Sequence, residues 1–227
     1  ETPILETLLA KIPLPAGHSD RFPASLDKLN ENDVTMLRNA YYEKATNDLP
    51  ELGEDQILVD KLPLNIALLP LVARIFPDSP VLVALRDPRD TCLSCFMQTF
   101  TLNTAMVCFL DIETTARTYE KVMGLWLRYR EQLGLRWHEY RYEDLVDDFD
   151  GVTRQIFDFL QLDYPDNAEQ FHRAASGDTL MTPSYQDVSK PVYTRARARW
   201  LNYRDQLAPI NDTLAPFITA FGYPDGE

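Results

Sequence analysis

No apolar run in the 227-residue chain approaches the roughly 18 residues that a membrane-crossing helix requires. The N-terminus also lacks the basic start of a secretory signal, so a soluble chain with no membrane partner is expected. Positive charge is short, with 22 Lys and Arg against 35 Asp and Glu and a net charge of −13. Recognition of a DNA or RNA backbone rests on clustered Lys and Arg, which excludes nucleic acid as the main partner. An anionic ligand would need a local positive pocket. Cysteine is scarce and odd in number, which argues against a disulfide framework. Cys92 and Cys95 fall one helical turn apart and are expected to pack as thiols, and a reducing, cytoplasmic setting fits. His138 and His172 have no ligand companions at useful spacing, so no metal is implied. No G-x-x-x-x-G-K-[ST] loop is present, which weighs against a kinase-like nucleotide enzyme.

What is present is an ordinary globular composition, 45% apolar and 25% charged, long enough for one large domain over residues 1–227. The informative stretch is Pro80–Phe100, PVLVALRDPRDTCLSCFMQTF. Val81 to Leu85 has the length and β-branched content of a strand buried on both faces. It stops at Arg86, and Asp87-Pro88 supplies an N-cap and a first helical residue. Arg86 is thereby placed at the carboxyl end of a parallel-type strand, where open α/β sheets bind ligands. In the helix that follows, Asp87, Thr91, Ser94 and Gln98 form a polar stripe, while Leu93, Phe96, Met97 and Phe100 can face a core. A guanidinium fork beside a hydroxyl suits a phosphate or sulfate oxygen. An Arg86 paired with Asp87 or Asp90, beside a half-buried Ser94, fits the spacing equally well.

Elsewhere the pattern is a succession of short elements. Residues 1–12 read as a helix with Leu5, Leu8, Leu9 and Ile12 on one face; Lys11 to Leu29 is a Pro-containing connection; Asn32-Asp33 opens a second helix to about Asn47. Ile57 to Val59 reads as a short strand, followed by Asp60-Lys61 and a helix starting at Pro63. Pro77 to Pro80 is a tight connection into the central strand, which supports a βαβ unit. Residues 102–110 form a loop or short helix, 111–133 a helix, and 135–142 a strand closed by Glu143-Asp144-Leu145. An amphipathic helix through Phe157, Phe159 and Leu160 follows. Residues 177–200 form a basic loop in which Lys190, Arg195, Arg197 and Arg199 gather four cations in ten residues. A helix over 205–221 and a tail over 223–226 close the chain.

The run R-D-P-R-D-T-C-L-S-C resembles the signature with which sulfotransferases that use 3′-phosphoadenosine 5′-phosphosulfate (PAPS) hold the 3′-phosphate of that donor. The wording is most similar to bacterial sulfotransferases that carry tetratricopeptide repeats and to tyrosylprotein sulfotransferases. Further motifs resemble the same family in the same order, from Glu1 to about Gln206: Glu1-Thr2 at a G-E-E-T position, Lys61-Leu62-Pro63-Leu64-Asn65 at a K-x-P-x-N position, R-Y-E-D-L-V at 141–146, and the loop S-x-x-x-V-x-K-P-V from Ser184.

The resemblance implies an α/β, P-loop-like domain with a mainly parallel sheet flanked by helices. It implies transfer of a sulfuryl group from PAPS, with no metal, to a hydroxyl-bearing acceptor such as a peptidyl tyrosine, a sugar or a small alcohol. By the same resemblance Glu1 is the general base, Lys61 and Ser184 stabilise the sulfuryl group, and Arg86 and Ser94 hold the 3′-phosphate. Tyr142 faces the nucleotide, and Lys190 and Arg199 reach its phosphates. From the residues alone, Glu1 reads equally as a helix-start acid, Lys61 as the partner of Asp60, and Tyr142 as a core tyrosine. One departure stands out: the family's N-terminal strand and P-R-S-G-T-T-type loop, which cradle the 5′-phosphosulfate, are not in this sequence. The expectation is a larger protein with a preceding, helical-repeat region, the 227 residues alone being inactive. A degenerate relative serving as a nucleotide-binding or protein-interaction module is the alternative.

Overall fold

The computed structural model describes residues 3–12, 21–47, 56–100, 103, 106–165 and 197–225. They fall into two compact units, Glu1–Ser79 with Gly124–Arg136, and Pro80–Met123 with Trp137–Glu227.

The first unit is helical. Helix α1 (Ile4–Leu9) lays Leu5 and Leu8 against α2 (Glu31–Thr46), whose Val34, Leu37, Tyr41 and Ala45 recur at helical spacing and are buried. Helix α2 begins at a capping box, in which the Asn30 side chain accepts from the Asp33 amide and the Asp33 carboxylate accepts from the Asn30 amide. Asn30→Ala is expected to cost about 1 kcal/mol of stability. A loss below a few tenths, read by urea unfolding, would show that water replaces the cap. A 3-10 turn, Pro63–Leu68, leads into α3 (Leu69–Ile75), which adds Leu71 and Ile75 to the same core. Arg38 and Arg74 reach across the unit to donate to the Ile75 and Leu29 carbonyls.

The strand expected at Ile57 to Val59 does not form: residues 56–62 have no regular secondary structure, and Val59 is 78% exposed. A strand is stabilised by pairing, and among the described residues only the two strands of the second unit pair.

In the second unit β1 (Val81–Leu85) pairs in parallel with β2 (Trp137–Arg141), Val81 opposite Trp137 and Leu85 opposite Arg141. Parallel neighbours require a crossover, and α4 (Pro88–Met97) and α5 (Ile112–Gln132) lie between them in the chain. The architecture is thus α/β with a small parallel sheet among many helices. Strand β1 is buried on one face only; Val83 and Leu85 are inside while Leu82 and Ala84 are exposed. An unbroken apolar run does not say whether one layer or two cover it.

Strand β2 ends at Arg141, one residue short of the expected Tyr142, which instead opens α6 (Tyr142–Asp147) carrying Glu143 to Leu145; α7 (Phe149–Leu160) follows. Phe96 and Met97 at the end of α4 are exposed, contrary to their expected core role. The helix expected over 205–221 is divided into α8 (Arg204–Leu207), a 3-10 turn at Ala208–Ile210 and α9 (Asn211–Ala220). Pro209 lacks an amide proton and tightens that junction. Among the described residues no helix is long and apolar enough to cross a membrane.

Candidate functional site

Strand β1 delivers Arg86 to the point where α4 starts, and Asp87 caps that helix by accepting from the Arg89 amide at 2.9 Å. Arg86 and Ser94 line one cleft of about 250 Å³, together with Ala84, Leu85, Thr91, Cys95, Tyr119 and Met123. One guanidinium, two hydroxyls one turn apart on α4 and a phenol therefore border a small cavity with an aliphatic and thioether wall. Burial pushes the Cys95 thiol and the Tyr119 phenol up, so both keep their protons at neutral pH. The cleft's formal charge then comes from Arg86, which suits an anion.

Arg86 lies beside an acid and an aromatic ring. Its Nη2 lies 3.9 Å from Asp90 Oδ2, and its guanidinium carbon lies 5.4 Å from the centre of the Tyr142 ring. The pairing with Asp90 that spacing allowed is thus present, though long for a charge-assisted hydrogen bond. The other charges of Arg86–Asp90 are consumed in the interior. Asp87 binds Arg89 through two bonds of 2.9 and 2.7 Å, with both side chains buried. Arg89 also donates to the Pro224 carbonyl at 2.8 Å and stacks 3.6 Å from the Trp200 ring centre. Glu143 accepts from the Asp87 amide at 3.1 Å and from the Tyr223 hydroxyl at 2.8 Å. Burial, then the Glu143 hydrogen bond, pushes that phenol up.

This network was not legible in the sequence, where Tyr223 and Pro224 read as a tail. The available signal was the density of charge in R-D-P-R-D next to an apolar strand, since buried charges must pair. The partners, 56 to 135 residues away, carry no local signature.

The other expected site residues are distributed as follows. Lys61 belongs to the first unit and is exposed at the end of the irregular stretch before Pro63. The neighbouring Asp60 accepts from the Tyr41 hydroxyl at 3.0 Å and from Asn65 Nδ2 at 2.9 Å, so it pins the Lys61 turn to α2 and to the residue that completes K-x-P-x-N. Arg199 is exposed at the start of a 3-10 turn, Arg199–Tyr203. Arg197, counted among the basic cluster, pairs with Asp147 on the surface. Glu1, Ser184 and Lys190 lie outside the described residues.

A sequence model of the sulfotransferase family matches residues 8–166, more than half of the chain. The matched span contains Lys61, Arg86, Ser94 and Tyr142. An uncharacterized protein of Aquifex aeolicus (strain VF5) is 22% identical over 218 residues. That match takes in 94% of this chain and 28% of the relative, so the chain spans little more than a quarter of the relative's length.

Proposed function

The chain belongs to the sulfotransferase family, and from that membership we propose that its protein transfers a sulfuryl group from PAPS to an acceptor hydroxyl. In such a transfer the acceptor oxygen forms a bond to sulfur as the bond from sulfur to the 5′-phosphate oxygen breaks. The acceptor proton passes to a carboxylate, assigned to Glu1, and the electron pair leaves with 3′-phosphoadenosine 5′-phosphate. Negative charge spreads over the equatorial oxygens, so the work falls to positioning and electrostatic stabilisation, as in phosphoryl transfer. Lys61 and Ser184 are assigned to the sulfuryl group, and Tyr142, Lys190 and Arg199 to the nucleotide and its phosphates. Arg86 and Ser94 are assigned to the 3′-phosphate, which would favour the bis-phosphorylated adenosine over ATP. The acceptor in this reading is a peptidyl tyrosine, a sugar or a small alcohol, and acceptor pockets are commonly built from variable loops.

The observation that supports this reading is the joint lining of one cleft by Arg86 and Ser94 at the carboxyl end of a parallel strand. In the full-length protein Arg86→Ala is expected to weaken binding of 3′-phosphoadenosine 5′-phosphate by about 1.5–3 kcal/mol, the worth of a charge-assisted hydrogen bond. Titration calorimetry with nucleotides bearing and lacking the 3′-phosphate provides the check. Equal affinity of the wild type for both would sink the assignment.

A further inference from the structure

Asp90 has no part in the ligand contacts assigned above, yet its side chain is fully buried, with 0% exposure. Its two oxygens face different parts of the chain. Oδ1 accepts from the Trp200 amide at 2.7 Å, across 110 residues of sequence, and the adjoining Arg199 backbone also faces the carboxylate. Burial pushes the Asp90 carboxyl up, opposed by these backbone contacts and by Arg86. Oδ2 faces Arg86 Nη2 at 3.9 Å. An ordinary ion pair between residues i and i+4 on an exposed helix is worth a few tenths of a kcal/mol and orders nothing beyond its own turn. This carboxylate instead stands between two separate arginine-bearing segments. Trp200 is fixed a second time through its ring, stacked on the Arg89 guanidinium that Asp87 clamps. Just before it, Ala198 holds φ 51°, a left-handed conformation that a non-glycine residue keeps only where its surroundings impose it.

We propose that Asp90 is a positioning residue of the nucleotide site, joining Arg86 at the end of β1 to Arg199 and Trp200 through one buried carboxylate. The proposal rests on the sulfotransferase reading. Asp90 touches no ligand. Its Oδ2 orients the Arg86 guanidinium without binding it as closely as Asp87 binds Arg89, and its Oδ1 sets where the Arg199 backbone stands. The second half of the R-D-P-R-D motif thus does for the end of the chain what its first residue does for the anion.

The test uses the full-length protein with Asp90→Ala and Asp90→Asn. Calorimetry compares 3′-phosphoadenosine 5′-phosphate with adenosine 5′-phosphate, and hydrogen exchange follows the Trp200 amide. Asp90→Ala is expected to lose the Trp200 protection and to weaken the 3′-phosphorylated nucleotide about tenfold, with a much smaller change for adenosine 5′-phosphate. Asp90→Asn keeps an oxygen acceptor for the amide. It should retain the protection and lose only about threefold in affinity, because a neutral amide orients the Arg86 guanidinium less firmly than a carboxylate does. If the wild type binds both nucleotides alike, the sulfotransferase reading fails and this inference falls with it. If the wild type prefers the 3′-phosphate and Asp90→Ala keeps that preference in full, the inference alone is overturned. Equal weakening of both nucleotides by Asp90→Ala, alongside a lowered melting temperature, would mark a merely structural role and also overturn it.

Discussion

Replacing Arg89 with Met is expected to lower the free energy of unfolding by about 3–5 kcal/mol, the usual result of breaking a buried ion pair from one side. The Asp87 carboxylate would lose both of its guanidinium bonds while remaining buried, since the cap of α4 and the Glu143 contact hold that turn in place. The Pro224 carbonyl would lose its donor, and the Trp200 ring its stacking partner. Urea denaturation followed by far-ultraviolet circular dichroism gives the measurement. Combining Arg89→Met with Asp87→Asn separates the causes: removing the orphaned charge should recover part of the loss, because the double variant no longer buries an unpaired carboxylate. A single-variant loss below about 1 kcal/mol would mean that water reaches Asp87, and that the pair behaves as a surface one.

In catalysis, the largest effects are expected from Glu1 and Lys61 in the full-length protein. A general base acts only on the acceptor proton, so Glu1→Gln should lower kcat by about 10²–10⁴-fold and leave nucleotide affinity nearly unchanged. Lys61→Ala should also lower kcat, by about 10²–10³-fold, because charge developing on the sulfuryl oxygens loses a preorganised cation. Only the Glu1 variant should remove the acidic limb of the pH–rate profile, which reports the carboxylate gaining its proton as pH falls. Single-turnover rates across a pH series, with nucleotide binding measured beside them, distinguish the two roles. Wild-type turnover by Glu1→Gln throughout the series would return Glu1 to the status of a helix-start acid.

The elements around Arg86 were legible because each rests on a short-range rule. The apolar run Val81 to Leu85 stops at a charge, Asp87 accepts from the Arg89 amide, and Pro88 occupies the first helical position. The same rules found α2 and α5 from their helical spacing. Local rules failed where pairing or covering decides. Ile57 to Val59 has the composition of a strand and no described strand beside it. Phe96 and Met97 lie on the expected core face of α4, yet they sit in its last turn and remain exposed.

Family membership was legible in the wording of R-D-P-R-D-T-C-L-S-C and its companion motifs, and the shared cleft of Arg86 and Ser94 followed from a strand end, a cap and a helix within nine consecutive residues. Only the tertiary structure decided what the remaining charges of that motif do. The Asp87 carboxylate pairs with Arg89 inside the motif, but Arg89 also meets the Pro224 carbonyl and the Trp200 ring, Asp90 the Trp200 amide, and the Asp87 amide the Glu143 carboxylate, all distant in the chain. Burial makes an unpaired charge costly and so requires a partner, but composition and spacing cannot say which distant residue supplies it. Long-range packing makes that choice, and with it the chain's last segment becomes part of the framework around the site.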